Sequence, residues 1–174
     1  MVKGERAKGD QARTPALYTA EERIRRDRSP WTMVQGILAP IQFVVFLISL
    51  GLVLRWLATG DGYVAATVSV VIKTLVLYTI MVTGAIWEKD VFGQYLFAGP
   101  FFWEDVVSML VLALHTAYLG AVAWGWLDAR GQMLLALAAY ATYVVNAAQF
   151  VLKLRAARLS GAQDRVSSSV EMAR

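Results

Sequence analysis

Residues 29–54 read SPWTMVQGILAPIQFVVFLISLGLVL, 26 consecutive positions without a charged side chain. A helix needs about 20 mainly apolar residues to cross a bilayer, and three further stretches meet that requirement. Residues 62–87 carry a single charge, Lys73, while residues 106–127 and 131–152 carry none over 22 positions each. The whole chain of 174 residues is 57% hydrophobic and 17% charged. Soluble chains run at about 45–50% and about 25%, so both values exclude a soluble globular domain. The sequence predicts an all-α integral membrane four-helix bundle, with spans near 32–56, 64–87, 104–126 and 132–153. Residues 19–159 form this membrane domain, between tails over 1–18 and 160–174 that are expected to be disordered.

The residue inventory narrows the chemistry. With no cysteine, thiolate metal ligands, iron–sulfur clusters, disulfides and thiol nucleophiles are excluded. One histidine, His115, cannot build a multi-histidine metal centre. The net charge of +4 does not point to nucleic acid, because the basic residues stand where membrane topology needs them. Eight Lys and Arg precede the first span, Lys89 lies between spans two and three, and five follow the fourth span. The other two loops hold only Arg55 and Arg130, so the split is fourteen against two. The positive-inside rule then puts both termini and the middle loop in the cytoplasm. The polar N-terminal segment lacks a secretory signal, and the first span is expected to act as an uncleaved anchor.

Thr19-Ala20-Glu21-Glu22 matches a capping box, in which the threonine side chain and the glutamate three residues later satisfy each other's backbone N–H. A short helix over residues 20–27 follows, and Ser29-Pro30 stops it. Its arginines either line anionic headgroups or form a solvated turn. The loop between spans two and three is unusual for a connection. Residues 91–103 carry no charge and include six aromatic rings, too few residues to span and enough to lie at the interface or to re-enter. An aromatic belt explains such rings. The carboxylates Glu88, Asp90, Glu104 and Asp105 flank the loop directly, and a belt does not need them, which favours a platform for a flat ligand.

Those carboxylates either mark helix ends, with Glu104 and Asp105 favoured at a helix N-terminus, or do chemistry. Carboxyl groups half-withdrawn from water and close together share a proton, giving a donor beside an acceptor at neutral pH. Glu104, Ser108 and His115 fall on one face of span three. His115 either hydrogen-bonds a neighbouring helix or ligates a pigment metal. Lys73 near mid-span costs about 2.5–3.5 kcal/mol to insert, which makes it a functional candidate by default. It snorkels, meets backbone carbonyls, or meets an anionic group on a ligand. Gln35, Gln42 and Ser49 on span one, and Tyr140, Tyr143, Asn146 and Gln149 on span four, read as interhelical hydrogen-bonding stripes.

Several segments carry a family resemblance: residues 29–36 (SPWTMVQG), Lys73-Thr74, 79–89 (TIMVTGAIWEK), 92–98 (FGQYLFA), 101–108 (FFWEDVVS), 113–115 (ALH) and 146–150 (NAAQF). Together they resemble the 2-vinyl bacteriochlorophyllide hydratase family, in order and without gaps over residues 18–159. The resemblance implies hydration of the C3-vinyl group of a chlorophyllide to a 1-hydroxyethyl group, in bacteriochlorophyll synthesis, in a bacterial inner or photosynthetic membrane. It implies no cofactor beyond the magnesium that the substrate carries. Chemistry then suggests Glu104 as the proton donor and Glu88 or Asp105 as the base. Phe92, Tyr95, Phe101, Phe102, Trp103 and Asn146 would hold the pigment. Lys73 would meet its propionate, and His115 is a ligand candidate for its magnesium. Partners are then the pigment and the lipid bilayer, with a second copy or other pigment-biosynthesis enzymes to be considered. A non-catalytic pigment-binding or assembly factor is the alternative, and a small proton-coupled transporter the third reading.

Overall fold

A computed structural model describes residues 17–172, with side chains to Arg158; residues 1–16 of the tail expected over 1–18, and residues 173 and 174 of the tail expected over 160–174, lie outside it. The described residues form five α-helices and one 3-10 turn: α1 (Ala20–Arg28), α2 (Pro30–Thr59), α3 (Tyr63–Phe92), the turn Gly99–Phe101, α4 (Phe102–Trp124) and α5 (Ala129–Met172). Four helical segments are long and apolar enough to cross a membrane, Pro30–Thr59, Tyr63–Phe92, Gly99–Trp124 and Ala129–Arg158. The expected four-span, all-helical class is therefore correct. At about 1.5 Å per residue, a 30-residue helix is roughly 45 Å long, against a hydrocarbon core of about 30 Å. The helix ends consequently project beyond the hydrocarbon, and the polar residues collect there.

Local chemistry sets the boundaries. The capping box forms as read, with Thr19 N–H donating to Glu22 Oε2 at 2.7 Å and Glu22 N–H to Thr19 Oγ1 at 3.2 Å. Pro30 opens α2 at a position where a missing N–H costs nothing. Gly93 closes α3 and Gly125 closes α4, each at a positive φ (86° and 65°) that favours glycine. The cap at Gly125 leaves Trp126 outside α4, two residues short of the expected span end. Past Lys153, α5 continues to Met172, so residues 160–172 are helical where a disordered tail is expected. Good helix formers such as Ala156, Ala157 and Arg158 carry the helix out of the span with no proline to stop it.

The chain folds as two antiparallel hairpins, α2 on α3 and α4 on α5, which then pack on each other. Phe46, Val53, Val70, Leu77, Val111, Tyr118, Met133 and Tyr140 form the buried core. Ile37, Val44, Ile48, Val68, Leu75 and Val145 face outward, as lipid-facing positions must. Hydrogen bonds fix the register between the helices. Gln35 Nε2 donates to Thr83 Oγ1 at 2.8 Å, the Ser49 hydroxyl meets Ser69 at 2.7 Å and Tyr140 at 2.5 Å, and Asn146 Nδ2 donates to Ser108 Oγ at 2.8 Å.

One boundary moves inward from the expected tail. Tyr18 is buried, stacked on Phe92 with ring centroids 5.8 Å apart, and the Arg26 guanidinium sits 4.8 Å over its ring. The ordered domain therefore begins before residue 19. Burial raises the Tyr18 phenol above its ordinary pKa, opposed by Arg26.

Candidate active site

The end of the bundle that carries α1 also holds the C-terminal turn of α3, the 93–98 connection and the N-terminal turn of α4. Glu88 comes from α3 and Asp105 from α4, both buried, at 5% and 4% exposure. Their side chains meet across the junction of the two hairpins. An ionised carboxylate only accepts hydrogen bonds, so two carboxyl groups this close can bond to each other only when one of them carries a proton. Consecutive loop amides cap the pair: Phe97 N–H donates to Asp105 Oδ2 at 2.7 Å and Ala98 N–H to Glu88 Oε2 at 3.2 Å. Phe97 reaches its position with φ of 60°, the single positive φ at a non-glycine among the described residues. Such strain is retained where the surroundings over-determine it, as at functional sites.

Glu104 is engaged differently. Its Oε2 lies 2.5 Å from Lys153 Nζ of α5, and the same ammonium donates to the Pro100 carbonyl. A carboxylate that closes an ion pair has no proton to give, so this geometry argues against the expected role of Glu104 as donor. It makes Glu104 a brace between α4 and α5. Asp90 is also occupied, accepting from the Ser29 hydroxyl at 2.5 Å.

The aromatic loop is not a single platform. Phe101 is buried and joins Tyr18, Trp87, Phe92 and Phe150 in a compact ring cluster. Tyr95, Phe102 and Trp103 point outward, Trp103 at 68% exposure. The connection that α3 leaves is too short to let all six rings share one face, so they divide between core and rim. Trp87 ties the cluster to α2 by donating to Thr32 Oγ1 at 2.9 Å.

Deeper in the bundle, Lys73 is fully buried, and its ammonium faces the ring of Tyr143 at 4.1 Å and of Tyr140 at 5.8 Å. His115 Nδ1 is 2.8 Å from the Val111 carbonyl of its own helix, and Nε2 has no partner among the described residues. If Nδ1 carries the proton, Nε2 presents its lone pair to the bundle interior. Asn146 is held to Ser108 through its amide nitrogen, and its oxygen has no partner among the described residues.

The 2-vinyl bacteriochlorophyllide hydratase family matches residues 18–156. The chain belongs to the 2-vinyl bacteriochlorophyllide hydratase family. A relative of that name from Rhodobacter capsulatus is 66% identical over 155 residues, covering 89% of this chain and 90% of its own. Another from Cereibacter sphaeroides is 70% identical over 144 residues, covering 82% and 89%. No solved structure matches. The hydratase family match begins at Tyr18 and ends beyond Lys153, so it takes in the ring cluster and both partners of the Glu104 brace.

Sequence reasoning missed four participants. Lys153 enters the reading only as a topological charge, although its spacing from Asn146 and Gln149 continues the inward stripe of α5. Tyr18 is assigned to the tail. The amides of Phe97 and Ala98 have no signal in residue type, since any residue but proline supplies an N–H.

Proposed function

We propose that this chain adds water across the C3-vinyl group of a chlorophyllide, with Glu88 and Asp105 as the acid–base pair. The observation that carries this reading is the meeting of two buried carboxyl groups from different hairpins, each capped by its own loop amide. The shorter amide bond is to Asp105, and a charge-assisted bond is the stronger kind. Asp105 therefore holds the negative charge and Glu88 the proton. Glu88 protonates the terminal vinyl carbon, turning CH2 into CH3 and leaving a cation on the adjacent carbon, spread over the macrocycle. Asp105 takes a proton from a water as its oxygen bonds to that carbon. One water is added, and one proton has passed from Glu88 to Asp105. Matching two carboxyl groups to opposite protonation states is the general solution for acid–base work near neutral pH.

The outward rings of Tyr95, Phe102 and Trp103 suit the membrane surface, where an amphiphilic pigment arrives. Purified protein in detergent, given the vinyl pigment, is expected to shift the red absorption band to the blue as conjugation is lost. Binding without any band shift would leave a pigment carrier in place of an enzyme.

The same reading places the site on the cytoplasmic side of the membrane. Its support is the fourteen-to-two distribution of Lys and Arg between the two ends of the bundle. Reporter fusions at Gly60 and Gly161 are expected on opposite sides, with Gly161 cytoplasmic; the same side for both would overturn the topology.

A further inference from the structure

The hydrogen-bonding register brings a second group of polar side chains to one depth. Gln35 of α2 pairs with Thr83 of α3, and Ser49 with Ser69. Gln42, midway between Gln35 and Ser49, is therefore level with the stretch of α3 from Lys73 to Leu77. Phe46, one turn on from Gln42, packs against Tyr143 at 4.9 Å, and Tyr143 faces the Lys73 ammonium. His115 adjoins the same place from α4, its ring 5.8 Å from that of Tyr140. All four long helices thus contribute to a single layer in the bundle interior.

In this layer the hydrogen-bonding capacity is unspent. Gln42 is 2% exposed, and neither its amide nitrogen nor its oxygen has a partner among the described residues. Lys73 Nζ likewise has no hydrogen-bond or ion-pair partner among them and lies over the rings of Tyr143 and Tyr140. Buried polar groups are nearly always satisfied, and buried charges are paired. The ammonium offers three donors and the glutamine amide two, whereas an ionised carboxylate is an acceptor with about four lone-pair sites. Tyr140 is already bonded to Ser49, and no carboxylate of the chain occurs in the spans at this depth.

We propose that Lys73 and Gln42 form a receptor for the free carboxylate of the pigment, so that the enzyme takes the acid in preference to its ester. The proposal rests on the hydratase reading for the identity of the pigment. Lys73 precedes Glu88 by fifteen positions on α3, roughly 22 Å along the axis. Two side chains together with the macrocycle and its propionate arm bridge that length. Holding the carboxylate at Lys73 then points the opposite edge of the ring at the Glu88–Asp105 pair. Lys73 and Gln42 are positioning residues that act through the substrate's far end.

The test compares the vinyl chlorophyllide with its methyl ester, by quenching of intrinsic tryptophan fluorescence and, separately, by the shift of the red band. Wild type is expected to bind the acid about tenfold or more tightly than the ester, as the loss of a hydrogen bond to a charged group implies. Lys73→Met should lose that preference while binding the ester within about twofold of wild type, which also shows that the variant is folded. Lys73→Arg should restore most of the preference, and Gln42→Leu should reduce it. Equal binding of acid and ester by wild type, or an unaltered preference in Lys73→Met, overturns the receptor. A preference for the acid with no band shift leaves the receptor standing and removes the hydratase assignment; hydration of both forms with equal affinity does the reverse.

Discussion

Glu88→Gln is expected to lower turnover by a factor of at least about 100, the low end of what a positioned general acid contributes, while pigment binding persists. Glutamine keeps the size and the acceptor oxygen that meets the Ala98 amide, but it has no proton to donate to carbon. The measurement is the red-band shift at saturating pigment, with fluorescence quenching as the binding control. Turnover within about threefold of wild type would remove Glu88 from the chemistry. Asp105→Asn should have a similar effect for the complementary reason, since it can no longer take a proton from water. Residues that act as a unit are strongly non-additive, so the double variant should be little worse than either single one. Additive losses would mean that the two carboxyl groups work independently.

The second large effect is on stability. Glu104→Gln should cost about 3 kcal/mol, the low end of the range for breaking a buried ion pair. Lys153 is 26% exposed at its side chain and Glu104 8%, so water recovers part of the loss. Lys153 keeps the Pro100 carbonyl, which holds the turn before α4 in place. The variant is therefore expected to hydrate the vinyl pigment at a substantial fraction of the normal rate at low temperature and to lose its fold at a lower temperature. Thermal unfolding in detergent, followed alongside activity, separates the two. A variant with normal thermal stability and no turnover would return Glu104 to the role of proton donor. Lys153→Met should destabilise comparably, and the double variant less than the sum, because the two single changes remove the same contact.

The contrast between Glu88 and Glu104 indicates what residue order discloses. Long uncharged runs dictate the spans directly, because a bilayer accepts little else, and the capping box at Thr19 and Glu22 is as local as a motif can be. Which of four carboxylates faces which partner depends on helix rotation and on Lys153, a residue 49 positions away in the chain from Glu104. The loop amides that cap Glu88 and Asp105 owe their position to the unusual backbone at Phe97, which its side chain does not announce. Gln42 was concealed by company: a seven-residue repeat with Gln35 and Ser49 makes it look like another interhelical bond. The neighbours on either side find partners on α3, and Gln42 finds none among the described residues. The aromatic loop misled in the opposite direction, since composition alone cannot divide six rings between an interior cluster and an outer rim.

The two hairpins carry one further consequence. Each can enter the bilayer as a unit, because every backbone bond of a spanning helix is internal to it, and association of the inserted halves is a separate event. Glu88 travels with the first half and Asp105 with the second. A chain whose halves have inserted but not yet come together holds both buried carboxyl groups without their meeting. If the proposed pair does the chemistry, activity reports on the last stage of assembly, and a newly made chain is expected to stay silent in the membrane until its two halves close.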